Sequence, residues 1–232
     1  MDETETRDAH ATTDAPILYR HRAVMPPAML ALLLVPALVP LIIALRGQSA
    51  RRGLGLGWTA GFTMTMTGFY WLMEMLKVFS GFPTPICALL AALIFVQQGG
   101  RGALAGWLHA RAEARGWPAA PVFVLAFIAS ELAYPVLFPW FFGASVHNAP
   151  VFLQVADLGG ALLVGAVLLG SNVALAELVL ARLEKRRPAR LTLGLGLAAP
   201  LLGALYGAVQ LRRIDGRMAA APPLKVGIAQ GN

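Results

Sequence analysis

Six long apolar stretches constrain the fold of this sequence more than any other feature. They cover residues 26–45, 54–73, 85–108, 119–138, 159–181 and 191–211. About 20 apolar residues in a helix cross a bilayer core that is about 30 Å thick. Hydrophobic residues make up 57% of the 232 residues and charged residues 13%, a balance that soluble domains rarely show. We therefore predict an all-α membrane protein, a bundle of about six transmembrane helices.

Two of these stretches contain residues that interrupt an apolar helix. Arg101 lies in the third, so either the helix is long and Arg101 snorkels towards the headgroups, or the spanning part ends near Gln98. Pro36 and Pro40 lie in the first and predict kinks, because transmembrane helices tolerate prolines where neighbouring groups recover the freed carbonyls. GxxxG spacings at Gly57/Gly61, Gly102/Gly106 and Gly203/Gly207 carry little weight among 24 glycines.

Basic residues fall in short clusters between the apolar stretches, which is typical of a topology signal and not of a nucleic-acid surface. The loops after the first, third and fifth stretches hold eleven of them: Arg46, Arg51, Arg52, Arg101, Arg111, Arg115, Arg182, Lys185, Arg186, Arg187 and Arg190. The short loops on the opposite side hold only Lys77. Because basic short loops stay in the cytoplasm, both termini are predicted to lie outside it.

The two ends of the chain differ from the apolar stretches. Residues 1–25 are polar and lack the features of a signal peptide, so we expect a disordered leader. Residues 212–223 are expected to form a linker. In residues 224–232, apolar residues alternate with small ones, which predicts a strand that enters a soluble sheet. One strand is not stable alone, so the chain is expected to continue into a further domain.

Three segments carry a resemblance to a known family. They are GFTMTMTGFYWLMEMLKVFSGFPTP at 61–85, SELAYPVLFPWFFGASVHNAPVFLQVADLGGALLVG at 130–165, and KVGIAQGN at 225–232. Together they resemble the amino-terminal membrane half of bacterial apolipoprotein N-acyltransferase. The resemblance implies a helical bundle that carries a nitrilase-like α/β domain on its outer side. It also implies acyl transfer from a phospholipid donor to the N-terminal amine of a diacylglyceryl-cysteine lipoprotein.

The resemblance implies that catalysis takes place outside this chain. The family uses a nucleophilic Cys with a Glu base and an oxyanion-stabilising Lys, and all three would lie beyond Asn232. Cys87 is expected to pack as a small hydrophobe. The present residues would anchor the catalytic domain and admit lipid, and lipoproteins would bind through the missing domain. No cofactor, metal or nucleic acid is implied. The implied location is the bacterial inner membrane, with both termini periplasmic.

Two features depart from the family pattern. The family usually has one more hydrophobic span at its start. It also often has an Arg three residues after the Glu at position 131 and a Gly before Phe-Pro-Trp, where this chain has Tyr134 and Leu137. We therefore do not predict that such an Arg contacts a lipid headgroup.

Glu131 is the one acid deep within a predicted span. A charge at that depth is costly, which makes Glu131 a candidate lipid-proximal residue. The alternative is a hydrogen bond between helices, to Ser130, Tyr70 or Gln97.

Phe138, Pro139 and Trp140 are further candidates for contact with lipid or substrate. They indicate either an aromatic belt at the outer interface or a lip that guides acyl chains. Asp157, close before Gly159, is expected to cap the fifth helix.

Two other interpretations stay open. A small membrane transporter would show several intramembrane polar residues, a discontinuous helix pair or two similar halves. A non-catalytic relic would have kept the bundle after losing the enzyme domain.

Overall fold

The computed structural model describes residues 33–222, which are mostly helical and include no β-strand. The elements are α1 (Val39–Leu45), α2 (Ala50–Gly68), α3 (Leu72–Ser80), α4 (Thr84–Glu113), α5 (Ala119–Ala133), the 3₁₀ turn η1 (Phe142–Val146), α6 (Pro150–Leu153), α7 (Ala156–Leu183) and α8 (Arg190–Ala220). By length and composition α4, α7 and α8 can cross a membrane, and α5 is a shorter apolar helix. The predicted all-α membrane fold is confirmed. The predicted leader and terminal strand lie outside the described residues.

Prolines and glycines explain where the helices differ from the predicted spans. The fourth predicted span reaches residue 138, but α5 ends at Ala133. Pro135 disfavours a helical conformation in the residue before it, and Tyr134 is extended (φ −85°, ψ 122°). Within α7, Gly159 and Gly160 have non-helical dihedral angles, so the helix is kinked there.

Other helix boundaries also differ from the predicted ones. The second predicted span, 54–73, is divided between α2 and α3. The last helix, α8, continues through most of the predicted linker at 212–223. The third predicted span is one continuous helix, α4, so the long-helix alternative is right. However, Arg101 is only 5% exposed and faces the bundle. Arg101 therefore does not snorkel outward. It also does not lie in a loop, although the topology count placed it in one.

The kink predicted at Pro36 is present and has a dedicated partner. Residues 35–38 form a turn between two helical segments. The fully buried amide of Asn172, in α7, donates to the carbonyl of Leu34 (2.9 Å) and accepts from the N–H of Leu38 (2.8 Å). Asn172 thus pairs the N–H of Leu38, which the break would leave without a partner in an apolar environment, and adds a second bond to the carbonyl of Leu34.

Helices α2 and α4 pack through their glycines. A Cβ added at Gly57 would overlap the carbonyl oxygen of Gly102, and one at Gly53 would lie 2.6 Å from the carbonyl oxygen of Gly106. Since no side chain fits between them, the two backbones approach directly. Two of the GxxxG spacings that carried little weight in the sequence, Gly57/Gly61 and Gly102/Gly106, therefore face each other. This seam places one side of α4 in the interior of the bundle.

Candidate functional site

Polar side chains of α4 converge on the segment that follows α5. Gln98 accepts a hydrogen bond from the N–H of Leu137 (3.0 Å) and donates one to the carbonyl of Phe138 (3.2 Å). One residue earlier, the side-chain amide of Gln97 donates to the carbonyl of Pro135. The backbone carbonyl of Gln97 accepts from the hydroxyl of Tyr134 (2.8 Å). Three of these bonds pair backbone groups of the segment that have no helical partner, and the Tyr134 hydroxyl adds a fourth attachment to α4, so together they fix the conformation of residues 134–138.

Arg101 extends this attachment to Trp140. Its Nη1 donates to the carbonyl of Trp140 at 2.7 Å, and its guanidinium lies 4.1 Å from the centroid of a Trp140 ring. A cation over an indole face is attracted by the ring quadrupole, more strongly when both are removed from water. Arg101 therefore holds both the backbone and the side chain of Trp140.

Glu131 lies in the last turn of α5 and holds the far end of the same segment. Its Oε1 accepts from the N–H of Phe142 at 2.7 Å and lies 3.9 Å from Nη1 of Arg101. Its Oε2 is buried and has no hydrogen-bond partner in the described structure. None of the partners expected from the sequence, Ser130, Tyr70 or Gln97, bonds to Glu131. The expectation missed Arg101 and Phe142 because only folding brings them to the end of α5.

A cavity of about 30 Å³ lies beside this cluster and is lined in part by Thr65, Arg101, Ser130 and Trp140. Such a volume has room for a single water molecule with polar partners. Neither the arginine nor the glutamines supply a nucleophile. The cluster therefore has a positioning role, because it fixes residues 134–142 against the bundle.

The predicted aromatic group is divided in the structure. Phe138 packs 5.8 Å from Phe69 and 6.3 Å from Trp71, measured between ring centroids. Trp140 covers Arg101, while Pro139 is exposed. These positions leave both the belt and the lip open as interpretations.

Asp157 does not occupy the N-cap position expected from the sequence. Val155 is the N-cap residue of α7 and is itself helical, with φ −60° and ψ −22°. The N–H of Asp157 already bonds to the carbonyl of Gln154, because the chain enters α7 in a helical turn. The carboxylate of Asp157 instead accepts from Gln210 at 3.0 Å and from Tyr206 at 3.5 Å, and so joins α7 to α8.

An apolar groove of about 440 Å³ runs beside the fixed segment. Its lining comes from Leu93, Ile94 and Gln97 of α4 and from residues 135–137. Leu137 is 61% exposed and Leu93 57% exposed, so the groove opens to the surroundings of the bundle. Gln97, which bonds to the segment, therefore also forms part of one wall of this open apolar groove.

Arg101 and Gln98 are the residues whose role the sequence interpretation missed. In the sequence both appeared as interruptions of an apolar stretch, and Arg101 was also counted as a basic loop residue. A polar residue inside a predicted span is itself a signal, since its cost in lipid requires a partner within the protein.

Comparisons with known proteins agree with the predicted resemblance. A family model described as the apolipoprotein N-acyltransferase N-terminal domain matches residues 23–174, which include the whole cluster. An apolipoprotein N-acyltransferase of Chromobacterium violaceum is 30% identical over 210 residues. This match covers 86% of the present chain and 38% of that relative. No solved structure matches the chain.

Proposed function

This chain belongs to the apolipoprotein N-acyltransferase family, and from that membership we propose that it is the membrane part of such an enzyme. The whole enzyme would transfer an acyl chain from a phospholipid to the N-terminal amine of a diacylglyceryl-cysteine lipoprotein. The chain spans 38% of the length of its relative, so this activity belongs to the proposal. The helices would anchor the catalytic domain in the bacterial inner membrane, with both termini on the periplasmic side.

The observation that carries the proposal is the fixed segment 134–142 beside an open apolar groove. A simple connection between two helices needs no buried cation and carboxylate to hold it. Here Arg101, Glu131 and Gln98 hold the segment from inside the bundle, at the cost of removing two charged groups from water. A rigid wall of this kind suits admission of a lipid acyl chain, which must reach a defined position before it can react.

A chimera tests this function. The present chain would replace the matched part of the Chromobacterium violaceum relative, and the product would be reconstituted in vesicles of phosphatidylethanolamine. Mass spectrometry would follow acylation of a diacylated lipopeptide. We expect the chimera to be active and the present chain alone to be inactive. A folded but inactive chimera would instead support a non-catalytic bundle.

Two variants of the chimera test the groove. Leu137→Trp fills it and should lower kcat/KM for the lipid donor at least about tenfold, because the acyl chain is then misplaced. Leu132→Trp is the matched control, since Leu132 is 67% exposed on α5 and does not line the groove. Equal rates in the two variants would contradict admission of lipid at this site.

Glu131→Gln separates positioning from stability. The amide oxygen can still accept from Phe142, but the charge beside Arg101 is lost. If Glu131 positions the segment for lipid use, KM for the lipid should rise while the protein still unfolds cooperatively. Unchanged turnover with a lower unfolding temperature would assign Glu131 a role in stability alone.

A further inference from the structure

The end of the bundle opposite to the segment 134–142 consists of the connections after α1, α4 and α7, and we call it the basic end. Its acidic side chains are already paired with arginines. Arg46 lies 3.9 Å from both Glu113 and Glu184. Arg186 bonds to Glu177 at 2.5 and 3.0 Å and to Glu184 at 2.5 Å. The hydrogen bonds that Arg186 donates to these two carboxylates raise its pKa above the usual value, so Arg186 stays cationic.

Several cations of the basic end have no such partner. They are exposed, and no acid in residues 33–222 lies within salt-bridge distance of them: Arg182, Lys185, Arg187 and Arg190. The basic end therefore presents uncompensated positive charge where the helices leave the apolar region. A surface of this kind attracts anionic lipid headgroups.

An apolar groove of about 260 Å³ lies close to one of these cations, Arg190. It lies between the start of α5, the middle of α7 and the start of α8. Val124, Val173 and Leu195 contribute to its walls, and Thr192 is its one side chain with a polar group. The lining matches the chemistry of a hydrocarbon chain.

Two residues that adjoin lining residues of this groove in the chain match the chemistry of a headgroup. Arg190 directly precedes the lining residue Leu191, and Trp117 directly precedes the lining residue Pro118. Trp117 is 59% exposed. Exposed tryptophans favour the level of the lipid headgroups, so Trp117 and Arg190 mark the interface beside this groove.

We propose that this groove binds an acyl chain of an anionic phospholipid, whose phosphate lies at Arg190. A zwitterionic lipid carries the same phosphate, but its ammonium group offsets that charge and leaves the cations without a net counter-charge. This lipid would lie at the opposite end of the bundle from the segment 134–142. The inference is therefore independent of the proposed enzymatic function and concerns a bound lipid, not a substrate.

Lipid binding to the purified chain tests the charge. The delipidated protein in detergent would be titrated with dioleoylphosphatidylglycerol and with dioleoylphosphatidylcholine, and native mass spectrometry would count bound lipids. We expect tighter binding of the anionic lipid. Arg190→Gln should weaken that binding about fivefold and should weaken binding of the zwitterionic lipid less, as expected for loss of one interfacial cation that faces a headgroup of net negative charge. Arg213→Gln, near the other end of α8, is the matched control and should change neither affinity.

Filling the groove tests the acyl chain. Thr192→Trp should weaken binding of both lipids, whereas Leu205→Trp, on the exposed face of α8, should not. Circular dichroism would confirm that both variants keep their helices. Equal affinity for the two lipids, equal effects of the Arg190 and Arg213 variants, or displacement of the lipid by inorganic phosphate alone would each overturn the proposal.

Discussion

Helices α4 and α8 have nearly the same length, 30 and 31 residues, yet they occupy different places in the bundle. Both are apolar enough to cross a membrane. In α4, 33% of the most apolar 18-residue stretch is buried inside the bundle, compared with 17% of the corresponding stretch in α8. A buried helix must satisfy its polar side chains within the protein, while a peripheral helix can leave most of its surface to lipid.

The two helices use the same residue types differently. In α4, Gln98 binds buried backbone and Gly102 meets the backbone of α2. In α8, Gln210 binds the exposed carboxylate of Asp157. Gly207 of α8 meets the short α6, where a Cβ would overlap the carbonyl of Val151. Apolar length identifies a spanning helix, but the partners of its polar residues decide how much the fold depends on it.

The largest expected difference between the helices concerns Arg101. Arg101→Met removes the partner of a buried carboxylate and leaves Glu131 without a nearby cation. The free energy of unfolding should fall by about 3–5 kcal/mol. Denaturant titration of the protein in detergent, followed by circular dichroism, measures this loss. Arg213→Met on α8 is the control, and a similar loss there would remove the distinction between interior and peripheral helix.

The glycine seam comes next. Gly57→Ala places a Cβ against the backbone of Gly102, where neither helix can yield without separating. We expect destabilisation by about 2–3 kcal/mol from overpacking. Gly55→Ala, in the same helix, has open space around its Cβ and should be neutral or stabilising by up to about 1 kcal/mol. Equal unfolding free energies for the two variants would contradict the close approach of α2 and α4.

A smaller difference is expected when one glutamine is replaced in each helix, Gln98 in α4 and Gln210 in α8. Gln98→Met removes the partners of Leu137 and Phe138 and should cost about 1–2 kcal/mol. Gln210→Met on α8 loses one exposed bond and should cost less than about 0.5 kcal/mol. Limited proteolysis offers a second measurement, because cleavage within residues 134–142 should accelerate only in the Gln98 variant.

The smallest effect is expected on the lipid-facing sides. Leu89 of α4 is 62% exposed and Leu201 of α8 is 70% exposed. Changing either to Ala should alter the unfolding free energy by less than about 0.5 kcal/mol, because lipid tails are as apolar as the leucine they replace. A large loss at Leu89 alone would show that α4 has a further helix partner on that side.

Much of the candidate site could be anticipated from sequence, but its contacts could not. Glu131 stood out because a charge within a predicted span is costly. The aromatic residues stood out because they are clustered at the end of a span. The role of Arg101 was missed because its partners, Trp140 and Glu131, lie on a different helix and the segment after it. The Asp157 cap was expected from local pattern, but the chain is already helical at Val155, and the carboxylate bonds to Tyr206 and Gln210 of α8 instead.

The sequence by itself determined that this chain is an all-α membrane protein of the apolipoprotein N-acyltransferase family. Apolar length and the order of a few segments are local properties, and they hold whatever the helices contact. Only the tertiary structure decided that Arg101 faces inward, that two glycine spacings meet, and that Asn172 supports the break at Pro36. Those outcomes depend on which helix lies beside which, and residues far apart in the chain settle that together.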